Sequence, residues 1–206
     1  MQFFYGMIFY VNYLKNMKKI LYLFILISFY SFSQQTVDLN NSSVKWTGKA
    51  IAGKSHFGTL SFKSANLTVK KGNSVEGGFI VDMTSLSVDD LTGKGKKSLE
   101  GHLMSDDFFS VDKFNEASLE ILGSKTETSS DGMSGRYIVD GNLTIKGITN
   151  PVTFEISLYK ENTYRATLVF DRSKFDVRYG SDSFFDNLGD RVILNEIELV
   201  VDLVIM

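Results

Sequence analysis

The chain has no cysteine among its 206 residues. That excludes disulfides, thiol chemistry and a lipidated N-terminal cysteine together. Its only histidines are His56 and His102, too few for a self-evident metal site. They would form one with Asp106 or Asp107 only if the fold gathered them, and a hydrogen-bonded structural role is the simpler expectation for each. No GxSxG, HExxH or glycine-rich dinucleotide turn occurs, and the adjacent pairs Asp89-Asp90 and Asp106-Asp107 fit caps or solvated charge better than an acid–base couple. The chain therefore offers no catalytic constellation, and the expectation is a non-enzymatic protein with no metal and no cofactor. One formal match has to be set aside: Gly48-Lys49-Ala50-Ile51-Ala52-Gly53-Lys54-Ser55 satisfies the phosphate-loop pattern. A working phosphate loop follows a buried strand and opens a helix. Here the preceding segment alternates apolar and polar residues, and His56 to Phe62 reads as another strand.

An apolar run long enough for an intact membrane anchor is also missing. Lys18 and Lys19 precede an apolar run from Ile20 to Ile27 that continues through Phe29, Tyr30 and Phe32. A spanning helix needs about 20 apolar residues, and this shorter stretch, ending in Ser31-Phe32-Ser33 before Gln34-Gln35, has the layout of a secretory signal peptide. The expectation is a signal peptide over residues 1–33, cleaved near Ser33, with an uncleaved anchor as the alternative. Met17-Lys18-Lys19 resembles a translation start, which would place the true initiator at Met17. A mature domain over residues 34–206 would then sit in the periplasm or outside the cell. Removing residues 1–33 leaves 19 basic against 24 acidic side chains, a formal charge of −5, so nucleic acid is not an expected partner. At 173 residues the remainder fits one domain with a substantial core.

What is present is a period of two. Val44 and Trp46 alternate with polar neighbours, as do Leu60 and Phe62, Leu67 and Val69, Phe79 to Met83, Leu119 and Ile121, Tyr137 and Val139, and Leu143 and Ile145. Val152 to Leu158, Leu168 and Phe170, and Ile193 to Ile205 continue the series, giving about eight or nine strands, each with one wet face. Turn residues separate them at Lys71-Gly72-Asn73-Ser74, Ser130-Asp131-Gly132, Lys146-Gly147 and Glu161-Asn162, so neighbours are antiparallel. Such strands close into a barrel or pack as a sandwich; a barrel, which also removes exposed edges, is the expected form. Ser85 to Phe114 breaks the alternation, with helix-like spacing at Leu99 and Leu103, and predicts a short helix and coil across one end. Ser173 to Asp190, holding Phe175, Tyr179, Phe184 and Phe185, is the second long connection.

The strands carry an unusual supply of large apolar side chains for a modest barrel. Periodicity alone leaves open whether they fill the interior or enclose a space for one small ligand.

Several ordered motifs resemble those of the YceI-like family of bacterial lipid-binding barrels. They are Val44-Lys45-Trp46-Thr47-Gly48-Lys49 with the turn Gly53-Lys54-Ser55-His56, Phe79 to Leu86, and Gly101-His102-Leu103-Met104-Ser105-Asp106-Asp107-Phe108-Phe109-Ser110-Val111. Gly141 to Phe154, Phe170-Asp171-Arg172-Ser173-Lys174-Phe175 and the closing strand from Arg191 to Leu203 complete the set. One departure is Asn115, where the family usually has proline after Lys113-Phe114. The resemblance implies an all-β, antiparallel, lipocalin-like barrel of about eight strands with a short helix and long loops at one end. It also implies an exported binding protein that holds a long isoprenoid or another amphiphilic, fatty-acid-like lipid for transport, storage or sequestration. On that reading Trp46, Phe62, Phe79, Val81, Leu143, Phe154 and Phe170 line the interior, Phe108 and Phe109 form wall or lid, and His56, His102 and Arg172 make polar contacts near the mouth. A transient membrane contact and a homodimer are further expectations, with Ile80, Ile138 and Ile148 as the candidates for the dimer face. The rival readings are a solid-core structural or stress-response barrel acting through its surface, and a lipid-modifying enzyme using a histidine base.

Overall fold

The computed structural model describes residues 35–70, 74–127 and 136–206. The expected signal peptide and its start and cleavage sites lie outside the described residues, as do the turns at Lys71-Gly72-Asn73 and Ser130-Asp131-Gly132. The elements are β1 (Gln35–Thr36), β2 (Ser43–Ala50), β3 (Ser55–Lys70), β4 (Ser74–Val88), α1 (Gly93–Met104), β5 (Glu116–Glu127), β6 (Arg136–Ile145), β7 (Ile148–Lys160), β8 (Thr163–Asp171) and β9 (Ile193–Val204). Every pairing from β2 to β9 joins consecutive antiparallel strands, and β2 also pairs with β9. The sheet is thus an up-and-down meander closed on itself, an antiparallel eight-stranded barrel. The short β1 extends it by pairing with Asn66 and Leu67 beyond the reach of β2.

Local chemistry sets the connections. Between β2 and β3 the phosphate-loop look-alike is a hairpin, with Gly53 at φ 81° and its amide donating to the Ala50 carbonyl at 3.0 Å. Between β6 and β7, Lys146 and Gly147 both have positive φ, as a two-residue hairpin matching the strand twist requires. Leu60-Phe62 and Leu67-Val69, which alternation presents as two strands, belong to the one long β3. The register on β4 shifts between Thr59 and Ser61 and again between Phe62 and Ser64. The first places its extra residues on β4, and the second inverts the inward parity of β3, from even at Phe62 to odd at Leu67, without ending the strand. β4 likewise runs on to Val88, so the helix of the Ser85 to Phe114 segment occupies only Gly93–Met104.

The two ends of the barrel differ. The β2–β3 hairpin, α1, the β6–β7 turn and the long β8–β9 connection share one end, here the helix end; β1, the C-terminal Met206 and the β7–β8 turn share the other, here the terminal end. Leu67, Val75, Tyr137, Val139 and Ile205 are buried toward the terminal end and pack it as a floor. At the helix end Arg172 is fully buried and acts as a brace. It donates to the carbonyls of Val177 (2.9 Å), Ile193 (2.9 Å) and Leu194 (3.2 Å), tying the β8–β9 connection to the start of β9. Burial pushes its guanidinium below its ordinary pKa, with Asp171 and Asp182 opposing.

Candidate functional site

Above that floor the inward rows leave a cavity of about 350 Å³ that opens toward the helix end, within the small end of the range of ligand pockets, roughly 300–1,000 Å³. Strand register explains its walls. Phe79, Leu119 and Leu143 sit opposite one another across β4, β5 and β6, and Trp46, Leu199 and Leu168 across β2, β9 and β8. Val81, Leu119, Leu199 and Val201 face inward and are still only half-buried, because they border open lumen as well as the core side chains they pack against. Phe62 and Phe79 lie side by side on the wall, their ring centroids 6.2 Å apart.

Trp46 shows how the wall is made. Its indole N–H donates to the Ser87 carbonyl at 3.2 Å, which turns the ring's apolar body to the lumen. Gly58 stands opposite Trp46 on β3, and a Cβ there would lie 1.8 Å from the Ser87 oxygen and 2.9 Å from the Trp46 ring. Only glycine lets the β4 backbone approach closely enough to take the indole hydrogen bond.

The Gly101 to Val111 motif builds the roof. After α1 the chain folds back through Phe108 N–H to Ser105 O (3.0 Å), Phe109 N–H to Leu103 O (3.1 Å) and Val111 N–H to Met104 O (2.9 Å), with Ser110 at φ 50°. That wrapped turn drives both aromatics inward, their centroids 5.5 Å apart. Leu99, His102 and Leu103 reach the same space from α1. Asn115 closes the segment, its backbone carbonyl accepting from the Met83 amide at 3.0 Å.

Trp46, Phe62, Phe79, Val81, Phe108, Phe109, Leu143, Phe154, Phe170, His56 and His102 all line the cavity. Arg172 does not. Three of its five N–H groups are given to carbonyls, and the guanidinium stands 5.3 Å from the Phe108 ring and so supports a wall residue from behind. The gathering of the histidines with Asp106 or Asp107 that a metal site would have required does not occur among the described residues. His56 Nδ1 lies 2.7 Å from Asp90, which also accepts from the Phe57 amide, while Asp106 binds Lys113 at 2.7 Å. Burial tends to raise the Asp90 carboxyl, and the bonds from His56 and Phe57 outweigh it and hold it below the usual range. Sequence reading passed over Leu99, Ala117, Leu119, Leu199 and Val201 as wall residues, although the alternation already marked the strand residues Leu119, Leu199 and Val201 as one face. It also missed Lys49 and Lys54, exposed side chains at the cavity's rim. The outward residues Ile80, Ile138 and Ile148 make no single patch. Ile138 pairs with Lys125 and Glu155 in the body of the sheet, and Ile148 sits at the helix-end turn.

Residues 35–205 match the family model for the YceI-like domain. Among solved structures, BcnA of Burkholderia cenocepacia is similar at 22% identity and a TM-score of 0.60, over 82% of this chain and 98% of that one. A polyisoprenoid-binding domain from Saccharophagus degradans, implicated in plant cell wall breakdown, is similar at 12% identity and a TM-score of 0.52, over 84% of this chain and 99% of that one. Identities this low establish likeness of fold. Comparison with curated proteins gave no match.

Proposed function

Because the chain belongs to the YceI-like domain family, we propose that it is an exported, non-enzymatic carrier holding one long isoprenoid or similar amphiphilic lipid in the barrel. The observation that carries this reading is the cavity itself. Inward residues stay half-buried around about 350 Å³ of apolar space, and a solid-core barrel would have closed it. Each methylene moved from water into such a lining contributes roughly 0.8 kcal/mol, so a prenyl chain is held by length and shape instead of by ionic contacts. The floor at the terminal end makes the helix end the entrance. Ile51, Phe184 and Phe185 on the connections at that end, and Phe57 at the start of β3, are 58%, 40%, 49% and 49% exposed, which supports a transient membrane contact through which a lipid is collected or delivered.

The chain has one tryptophan, and it lines the cavity. Titration of mature protein with a polyprenol, followed by Trp46 fluorescence, should give a saturable change at one lipid per barrel. No change across a series of chain lengths would refute the reading.

A further inference from the structure

The ionisable side chains around the cavity are all of one kind. Lys49, Lys54, His56 and His102 are basic, and no carboxylate is among the described lining residues, although acids outnumber bases over residues 34–206. The two histidines are not open to a guest. His102 Nε2 is buried away from the lumen, and His56 is held by Asp90 at 2.7 Å, so that pair adds no net positive charge. The basic character of the entrance therefore comes from the two lysines.

Both stand on the β2–β3 hairpin, the phosphate-loop look-alike. Its backbone does not cradle an anion, because the amides of Ala50, Ile51 and Gly53 are given to the carbonyls of Lys54 (2.8 Å), Val192 (2.9 Å) and Ala50 (3.0 Å). Its ammonium groups are another matter. On β3, Gly58 faces Trp46 and His56 faces Gly48, so Lys54 continues the same inward row where it leaves the barrel. No carboxylate pairs with Lys54 among the described residues. Lys49 has only Glu198 at 3.9 Å, a loose contact between side chains 57% and 43% exposed. An amphiphile whose tail fills the lumen leaves its head beside these two groups, at the water boundary, where an ion escapes the cost of burial in an apolar interior. We propose that the Lys49–Lys54 lip selects guests with an anionic head, a phosphate or a carboxylate, held at the entrance while the hydrocarbon runs down toward the floor. This rests on the lipid-carrier reading above and adds to it the charge class of the head group and the residues that read it.

The test uses three probes on one prenyl skeleton, farnesyl phosphate, farnesoic acid and farnesol, titrated into mature protein at low ionic strength with Trp46 as reporter. At least one of the two anions should bind wild type more tightly than farnesol, and the tighter of them identifies the head. Its affinity relative to farnesol should fall about tenfold in the Lys49→Gln/Lys54→Gln double variant, since each exposed lysine–anion contact is worth roughly a factor of two to five. Raising the salt concentration should shrink the wild-type ratio in the same direction. The Lys125→Gln/Lys160→Gln variant removes equal charge from the far ends of β5 and β7 and should keep the ratio. The salt series needs no variant, so it decides the matter even if the double variant folds poorly. Preference for farnesol over both anions, a ratio insensitive to salt or to the double variant, or an equal fall in the control variant overturns the head-group inference while leaving a lipid carrier in place. Failure of all three probes to bind overturns both.

Discussion

Replacing Ala117 with phenylalanine adds a benzyl group to the lumen. Ala117 lies on β5 opposite Val81, lines the cavity and is half-buried, because its methyl group faces open space. In a filled barrel the added ring would force its neighbours off their rotamers and cost roughly 1–3 kcal/mol. In this one it enters existing space and converts exposed apolar area to buried area. Full burial of a phenylalanine is worth roughly 1.5–3 kcal/mol, and the ring's partial enclosure here should leave stability unchanged or higher by about 1 kcal/mol. The same ring takes the room of about five lipid methylenes, each worth about 0.8 kcal/mol, so polyprenol affinity should drop at least a hundredfold. Urea unfolding of lipid-free protein gives the first quantity and Trp46 titration the second. A variant destabilised by more than about 1 kcal/mol that still binds polyprenol like wild type would refute the reasoning, since the lumen would then be occupied by the protein and the lipid held elsewhere.

Gly58→Ala sets a methyl group against the Ser87 carbonyl and the Trp46 ring. It should cost more than about 2 kcal/mol in urea unfolding and blue- or red-shift the Trp46 emission of the native state, whereas an unperturbed spectrum would contradict the close-approach role. Arg172→Leu leaves the carbonyls of Val177, Ile193 and Leu194 without their donor, so a loss of about 2–4 kcal/mol is expected, with raised hydrogen exchange along the β8–β9 connection as the local signature. Asp202 receives two bonds from Arg165, at 2.7 and 2.8 Å, and these hold its carboxyl below the ordinary value. Because the folded pKa is the lower one, this stabilisation is fully present above the unfolded value near ~3.9 and lost as pH falls through the folded pKa. Asp202→Asn should therefore be less stable than wild type by about 1–2 kcal/mol at neutral pH, with the gap closing on acidification below about pH 4; a gap independent of pH would contradict the assignment.

The barrel was legible from alternation because one face of each strand meets water and the other does not, and a period of two survives wherever the ladder is regular. It misled where the ladder is bulged. Between Phe62 and Leu67 the inward parity changes from even to odd, which imitates a strand end, and only pairing with β4 shows one continuous β3. The wall aromatics were legible for the same reason as the strands. Arg172 was not, because an arginine in Asp171-Arg172-Ser173-Lys174 looks solvated, and its burial depends on carbonyls that the β8–β9 connection brings from up to 22 residues away. Hollowness was the least legible property. Leu199 and Val201 have the same sequence signature in a packed barrel as in an open one, and the difference lies in how far apart the opposite walls stand.

The most direct measurement is native mass spectrometry of mature protein purified from cells without lipid added. A barrel that encloses a guest should carry one lipid-sized mass adduct, released on unfolding and recovered on incubation with polyprenol. A protein that flies at its bare polypeptide mass in every preparation, and stays at that mass after polyprenol is offered, would contradict the claim that the inward rows enclose a binding space.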